Sequence, residues 1–273
     1  GPVPLLSRLR SGDPTWALAA EGHWNQLRLA IEALEAAGQD REMLAAGLDL
    51  LVWAFLSRPL EASLADPLLG LHAKLPVVPA GLLPLLHALA ALPAAADDPA
   101  WPAWEEVRDA EDPTAIAAFL RPRLADPGRG LAWLGQAWDC LAGLGCWEEL
   151  NGLLPAAHLP GPLAPLLPRL AAEVGMYATP PETARRSLLA LDPALWGPWR
   201  EQRAARCALL AGDREGALAG LAAAHARLPW HPNLLLARHA LAHPLPDRPV
   251  LPDARVAVAL YSWNNAGRLG PTL

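Results

Sequence analysis

Residues 200–232 read REQRAARCALLAGDREGALAGLAAAHARLPWHP. This stretch decides the fold. One helix carries small residues at Ala204, Ala205 and Ala208, and a second carries Ala217, Leu221 and Ala224. Gly212-Asp213 makes the turn between them, and Pro229 closes the unit. Small side chains where two helices cross let the backbones approach, Gly frees the turn, and Pro ends the second helix.

Two weaker echoes share a Gly-x-aromatic-x-x-Leu turn pattern. They are Gly22-His23-Trp24-Asn25-Gln26-Leu27 and Gly145-Cys146-Trp147-Glu148-Glu149-Leu150. Gly145 and Gly212 are separated by close to two units of roughly 34 residues. Gly22 and Gly145 are not separated by a clean multiple. The 200–232 unit resembles a tetratricopeptide repeat. That resemblance implies an all-α domain over residues 3–243, an irregular solenoid of antiparallel helical hairpins. A helical array without repeats is the plainer alternative.

Outward from this unit, the thirty prolines support helices rather than oppose them. Asp-Pro occurs at 13–14, 66–67, 98–99, 112–113, 126–127 and 192–193. An Asp carboxylate accepts from the free N–H groups of a first helical turn. Proline suits the position just after, where its missing N–H costs nothing. Helices are predicted at 13–21, 24–37, 40–57, 67–75, 80–92, 99–110, 113–124, 129–143, 147–154, 162–174, 181–190, 194–211, 214–228 and 232–242. Leu44, Leu48, Leu51, Val52 and Phe55 form one buried stripe. Pro84, Pro122, Pro165, Pro168 and Pro198 are expected to kink or split their helices. No alternating strand pattern precedes residue 255.

Apolar residues make up 53% of the 273, enough for a sizeable core, and the net charge is −6. No basic field for nucleic acid is present. No apolar run of about 18 residues is free of Pro, Gly and charge, so no membrane span is expected. Gly1-Pro2 reads as a cleavage scar, and no signal peptide is visible. Cys140, Cys146 and Cys207 form neither an even framework nor a CxxC pair, which suits reduced thiols in a cytoplasmic protein.

Residues 244–254 open with PLPDRPVLPD, an extended Pro-rich spacer. Residues 255–273, RVAVALYSWNNAGRLGPTL, then change character: a short apolar strand, a polar break and a helix start. This stretch resembles the opening of the family-two inverting nucleotide-sugar glycosyltransferases. Those domains begin with a basic residue, an apolar strand, a Pro-Thr-Tyr-Asn-like loop and a helix with Leu-x-x-Thr-Leu. Here Tyr261, Ser262, Trp263 and Asn264 occupy the loop, with Tyr for the usual Pro and Trp for the usual Tyr. The resemblance implies a Rossmann-like sheet whose first loop lies against the nucleotide base. It implies a nucleotide sugar and a divalent metal for the remainder of such a domain, and no cofactor for this chain. The Asp-x-Asp metal site and catalytic base of the family do not follow, so the chain alone is expected to be inactive. A lone strand exposes its backbone groups, and 255–273 is expected to be poorly ordered or to pair with another surface.

Other chemistry reads weakly. His239 and His243 have helical ligand spacing without a third ligand, and they read as a surface pair, as do His225 and His231. Glu105-Glu106 and Glu148-Glu149 are adjacent, so their side chains diverge as solvated positions. Twelve Trp against two Phe and two Tyr is unusual. Trp101-Trp104, Trp133-Trp138 and Trp196-Trp199 suit packing between hairpins, with some subset lining an aromatic groove for peptide or glycan. The functional expectation is a non-catalytic accessory domain of a larger glycosyltransferase. It would bind or position a protein or glycan acceptor, or mediate self-association, with no nucleic acid partner. The alternative is an independent protein–protein scaffold.

Overall fold

A computed structural model describes residues 41–75, 78–159, 161–229 and 231–243. The described residues are helical, with no strand among them. The helices are α1 (Arg41–Ser57), α2 (Ala65–Lys74), α3 (Leu83–Ala90), α4 (Trp101–Asp109), α5 (Pro113–Leu124) and α6 (Gly130–Gly143). They continue with α7 (Trp147–Leu153), α8 (Leu166–Ala178), α9 (Pro181–Ala190), α10 (Pro193–Leu210), α11 (Arg214–Arg227) and α12 (Pro232–Ala242). The chain divides into two units, Gly1–Ala242 and His243–Leu273. The helices predicted before residue 40, the 244–254 spacer and the glycosyltransferase-like stretch with Tyr261, Ser262, Trp263 and Asn264 all lie outside the described residues.

The Asp-Pro pairs act in two ways. Asp112 and Asp192 cap α5 and α10, accepting from the N–H groups of Thr114 at 2.9 Å and Ala194 at 2.8 Å. Asp98 and Asp126 instead close tight turns just before α4 and α6, accepting from Ala100 at 2.9 Å and Gly128 at 2.7 Å. Asp66 sits inside the first turn of α2, which has no side-chain cap. Pro122 and Pro198 do not split their helices: α5 and α10 run through them. The segment predicted at 162–174 is displaced. Residues Gly161–Leu163 make a 3-10 turn, and α8 starts at Leu166 with Pro168 in its first turn, where no N–H is needed.

The turns at Gly145 and Gly212 close alike. Both glycines have positive φ, +73° and +83°. Each donates its N–H to the carbonyl three residues back. The following residue, Cys146 or Asp213, donates five residues back, at 2.8 and 2.9 Å. This is the Schellman closure, in which a left-handed glycine satisfies the last carbonyls of a helix. Beyond Gly212, α11 folds back on α10. A Cβ on Gly220 would stand 2.9 Å from the Cβ of Ala205. All six small or apolar crossing positions, Ala204, Ala205, Ala208, Ala217, Leu221 and Ala224, are buried.

Successive helices pack on one another through α8, α9, α10, α11 and α12. Contacts distant in sequence add to that order, among them α1 against α10 and α3 against the Gly161–Leu163 turn. Leu48, Leu51 and Phe55 of the predicted stripe in α1 are buried, with Val52 half-buried. Arg169 on α8 completes the tie. It is fully buried and donates to the carbonyl of Leu56 at 3.0 Å, at the end of α1. It also pairs with Glu173, and its guanidinium lies 3.7 Å from the Trp199 ring. A cation at helix-terminal carbonyls is favoured by the helix dipole.

By length and composition the stretch Ala80–Asp97 is apolar enough to cross a membrane. It folds instead as a 3-10 turn, the eight-residue α3 and a second 3-10 turn. Eight helical residues span about 12 Å, short of a bilayer core. Leu82, Leu85, Leu86 and Leu89 are in the core.

Candidate functional site

The structure divides the described tryptophans. Trp104, Trp133, Trp196 and Trp199 are fully buried and belong to packing. Trp104 donates to Gln136 and Trp133 to Asp98, each at 3.2 Å. Asp98 also pairs with Arg129 at 3.1 Å. The Ala100 N–H, then Arg129 and Trp133, hold its carboxyl below the usual range. Trp104 and Trp133 meet edge-on at 6.0 Å and Phe119 packs on both, so this cluster joins α4, α5 and α6.

Trp138 and Trp147 are only half-buried and lie on a different surface. Gly145 turns the chain so that Trp147 begins α7 beside the end of α8. There Trp147 stacks flat on Tyr177, with centroids 4.1 Å apart and planes 9° apart. Trp138 meets Trp147 edge-on at 6.3 Å. On the other side, the guanidinium of Arg206 on α10 is 6.0 Å from the Tyr177 ring. A line of side chains thus runs Trp138, Trp147, Tyr177, Arg206.

Beside Arg206 the surface opens into a hollow of about 500 Å³ between α10, α11 and α12. Leu209, Leu221, Ala237 and Leu241 form its apolar lining, and Arg203, Arg206 and Asn233 supply polar groups. This is the size of a site for a small molecule or a few peptide side chains.

The charge around the hollow is one-sided. Arg203 and Arg206 line it, and no Asp or Glu does. Burial lowers the proton affinity of Arg169, with Arg203 adding to it, and Arg206, Arg185 and Arg203 partly offset the burial of the Cys207 thiol. Glu173 answers Arg169, and Asp213 answers Arg185 at 2.7 Å. Asp213 also caps α11 through the Gly216 N–H, which with Arg185 holds its carboxyl below the usual range. Among the described residues, Arg203 and Arg206 have no carboxylate partner. Arg203 lies 5.8 Å from the Trp199 ring and Arg206 6.0 Å from the Tyr177 ring, and the Arg203 Nε is buried with no hydrogen-bond partner.

No protein-family model, curated protein or solved structure matches the chain.

The remaining residues singled out in the sequence divide plainly. Glu105, Glu106 and Glu148 are exposed and Glu149 is half-buried. His239 lies on exposed α12, and among the described residues no three His, Cys, Asp or Glu side chains converge on a metal position. His231 departs from the expected surface pair: it is buried, edge-on to Trp53 of α1 at 4.9 Å. Burial, with the nearby charge of His225, pulls its pKa down to about 4. Burial pushes the Cys140, Cys146 and Cys207 thiols up, which leaves them poor nucleophiles. Tyr177, Arg203 and Arg206 were not legible as a site. Tyr177 has no motif around it. The two arginines stand inside the hairpin stretch, where their spacing of three looks like an ordinary solvated face.

Proposed function

We propose that the helical body is a binding module that holds a segment of a partner molecule along the Trp147–Tyr177–Arg206 line and in the hollow beside it. The observation that carries this reading is the hollow itself: an apolar, open cavity next to half-exposed, mutually stacked aromatics and arginines without carboxylate partners. Half-exposed aromatics and Arg are the side chains that dominate binding energy at protein interfaces. The matched turns at Gly145 and Gly212, and the small-residue crossing of α10 and α11, support reading the hairpins as a tetratricopeptide-like solenoid. The resemblance of residues 255–273 supports placing this module in a nucleotide-sugar glycosyltransferase. There it would position a protein or glycan acceptor or mediate self-association, and nucleotide sugar and metal would belong to the transferase domain.

Two measurements test the two parts. A photo-crosslinking benzoylphenylalanine at Leu209, in the chain expressed in its own cell, is expected to capture a partner. The same probe at exposed Glu182 on α9 should not, and equal capture at both positions overturns the binding face. Sequencing the gene past the codon for Leu273 is expected to reveal an Asp-x-Asp. A stop codon there removes the transferase and leaves an independent scaffold.

A further inference from the structure

The hollow and its two arginines specify more than a place to bind. We infer that the occupant is an acidic peptide segment: an aliphatic or aromatic side chain in the hollow, flanked by a carboxylate that Arg203 and Arg206 clamp. This rests on the binding-module reading above and names its ligand.

Charge complementarity carries the argument. The chain as a whole is acidic, at −6. In the lining of the hollow the balance reverses, because Arg203 and Arg206 stand there and no Asp or Glu stands beside them. Arg203 and Arg206 are three apart on α10, so they share a face as like charges, an arrangement that disfavours the free helix. A bound carboxylate relieves that repulsion and supplies planar acceptors matched to guanidinium groups.

The lining decides between a peptide and a sugar. Aromatic rings stack on the flat faces of sugars. Here the lining of the hollow is aliphatic: Ala205, Leu209, Leu221, Ala237, Ala240 and Leu241. Trp147 and Tyr177 already spend one face each on the other. An aliphatic cavity with cations at its edge fits a Leu- or Phe-type side chain beside Asp or Glu. Asn233, at the wall of the hollow, is placed to bond a peptide amide.

The test is selection from a displayed library of random peptides against the full chain, followed by affinity measurement of the winners at low and high salt. A panel of uronic-acid oligosaccharides is run beside it. Enrichment of Asp or Glu next to Leu or Phe is expected, with binding weakened by salt. Arg206→Gln and Arg203→Gln should each lower affinity up to about fivefold, as loss of one partner in a solvent-accessible charge pair does. Ala237→Trp should fill the hollow and abolish binding, with melting curves confirming that each variant folds. In the absence of peptide, Arg206→Glu should melt slightly higher than the parent, a gain that a merely structural arginine would not give. Peptides without acidic bias that ignore the arginine variants but fail against Ala237→Trp overturn the acidic ligand and leave the binding module standing. Oligosaccharide binding without any peptide binding overturns the peptide. No binding of either kind overturns both readings.

Discussion

Arg169 is the side chain on which most depends. A fully buried guanidinium is tolerated because Glu173, the Leu56 carbonyl and the Trp199 face surround it. Removing one member of a buried pair strands the other, so Arg169→Leu should cost about 3–5 kcal/mol in urea unfolding. The double variant Arg169→Leu/Glu173→Leu should recover part of that loss; no recovery would mean the pair itself is not the source. His231 gives a pH signature. Its folded pKa of about 4 lies below the ordinary 6.5. Between those values the unfolded chain binds a proton that the folded chain does not. The stability contributed by neutral His231 is therefore complete above about pH 6.5 and is lost as pH falls toward 4, by up to about 1.4 kcal/mol per pH unit. His231→Phe keeps a ring against Trp53 and should flatten the stability profile in that window. Comparing variant with parent cancels every other titrating group, and identical profiles would refute the assignment. Neither residue was identifiable beforehand. An arginine in an amphipathic helix and a histidine after a helix end both read as surface until distant α1 is brought against them.

At the scale of the element, the hairpins were legible because their punctuation is local. Ten of the helices predicted after residue 60 begin within a few residues of their observed starts, since Asp caps, N-terminal prolines and turn glycines act within one turn of where they stand. Gly212→Ala should test this. Its φ of +83° is strained for any side chain, so alanine should cost about 1–2 kcal/mol. Gly135→Ala, inside α6 with nothing within 4 Å of its Cβ position, should instead gain about 0.5–1 kcal/mol from helix propensity. Equal effects at the two positions would mean that the left-handed turn is not what holds the hairpin. At Pro165 the expected break occurs, and α8 begins just after it. Pro122 and Pro198 do not split their helices: each removes a single hydrogen bond, and burial of the helix face outweighs it.

In the whole molecule, the packing of α1 on α10 is one feature that a nearest-neighbour array lacks. In such an array, damage to one hairpin is felt mainly by its neighbours. Here Leu51→Ala, at a fully buried site in α1, should lose about 2–5 kcal/mol and lower amide-exchange protection in α10 as much as in α2. Loss confined to α1 and α2 would show that the contact does not couple the two ends. Along α10, Trp196 and Trp199 are buried in the core, and Arg206 and Leu209 further along line the hollow.

Local sequence was enough for most helices, the caps at Asp112 and Asp192, the two glycine turns and the small-residue crossing in residues 200–232. Each of these depends on residues a turn or so apart. It also flagged the excess of tryptophan without sorting it. The tertiary structure decided which tryptophans are core and which are surface, that Arg169 is buried, that His231 meets Trp53, and that Arg203 and Arg206 are left without carboxylates. Burial and charge pairing are sums over neighbours supplied by distant parts of the chain, and no local pattern encodes them.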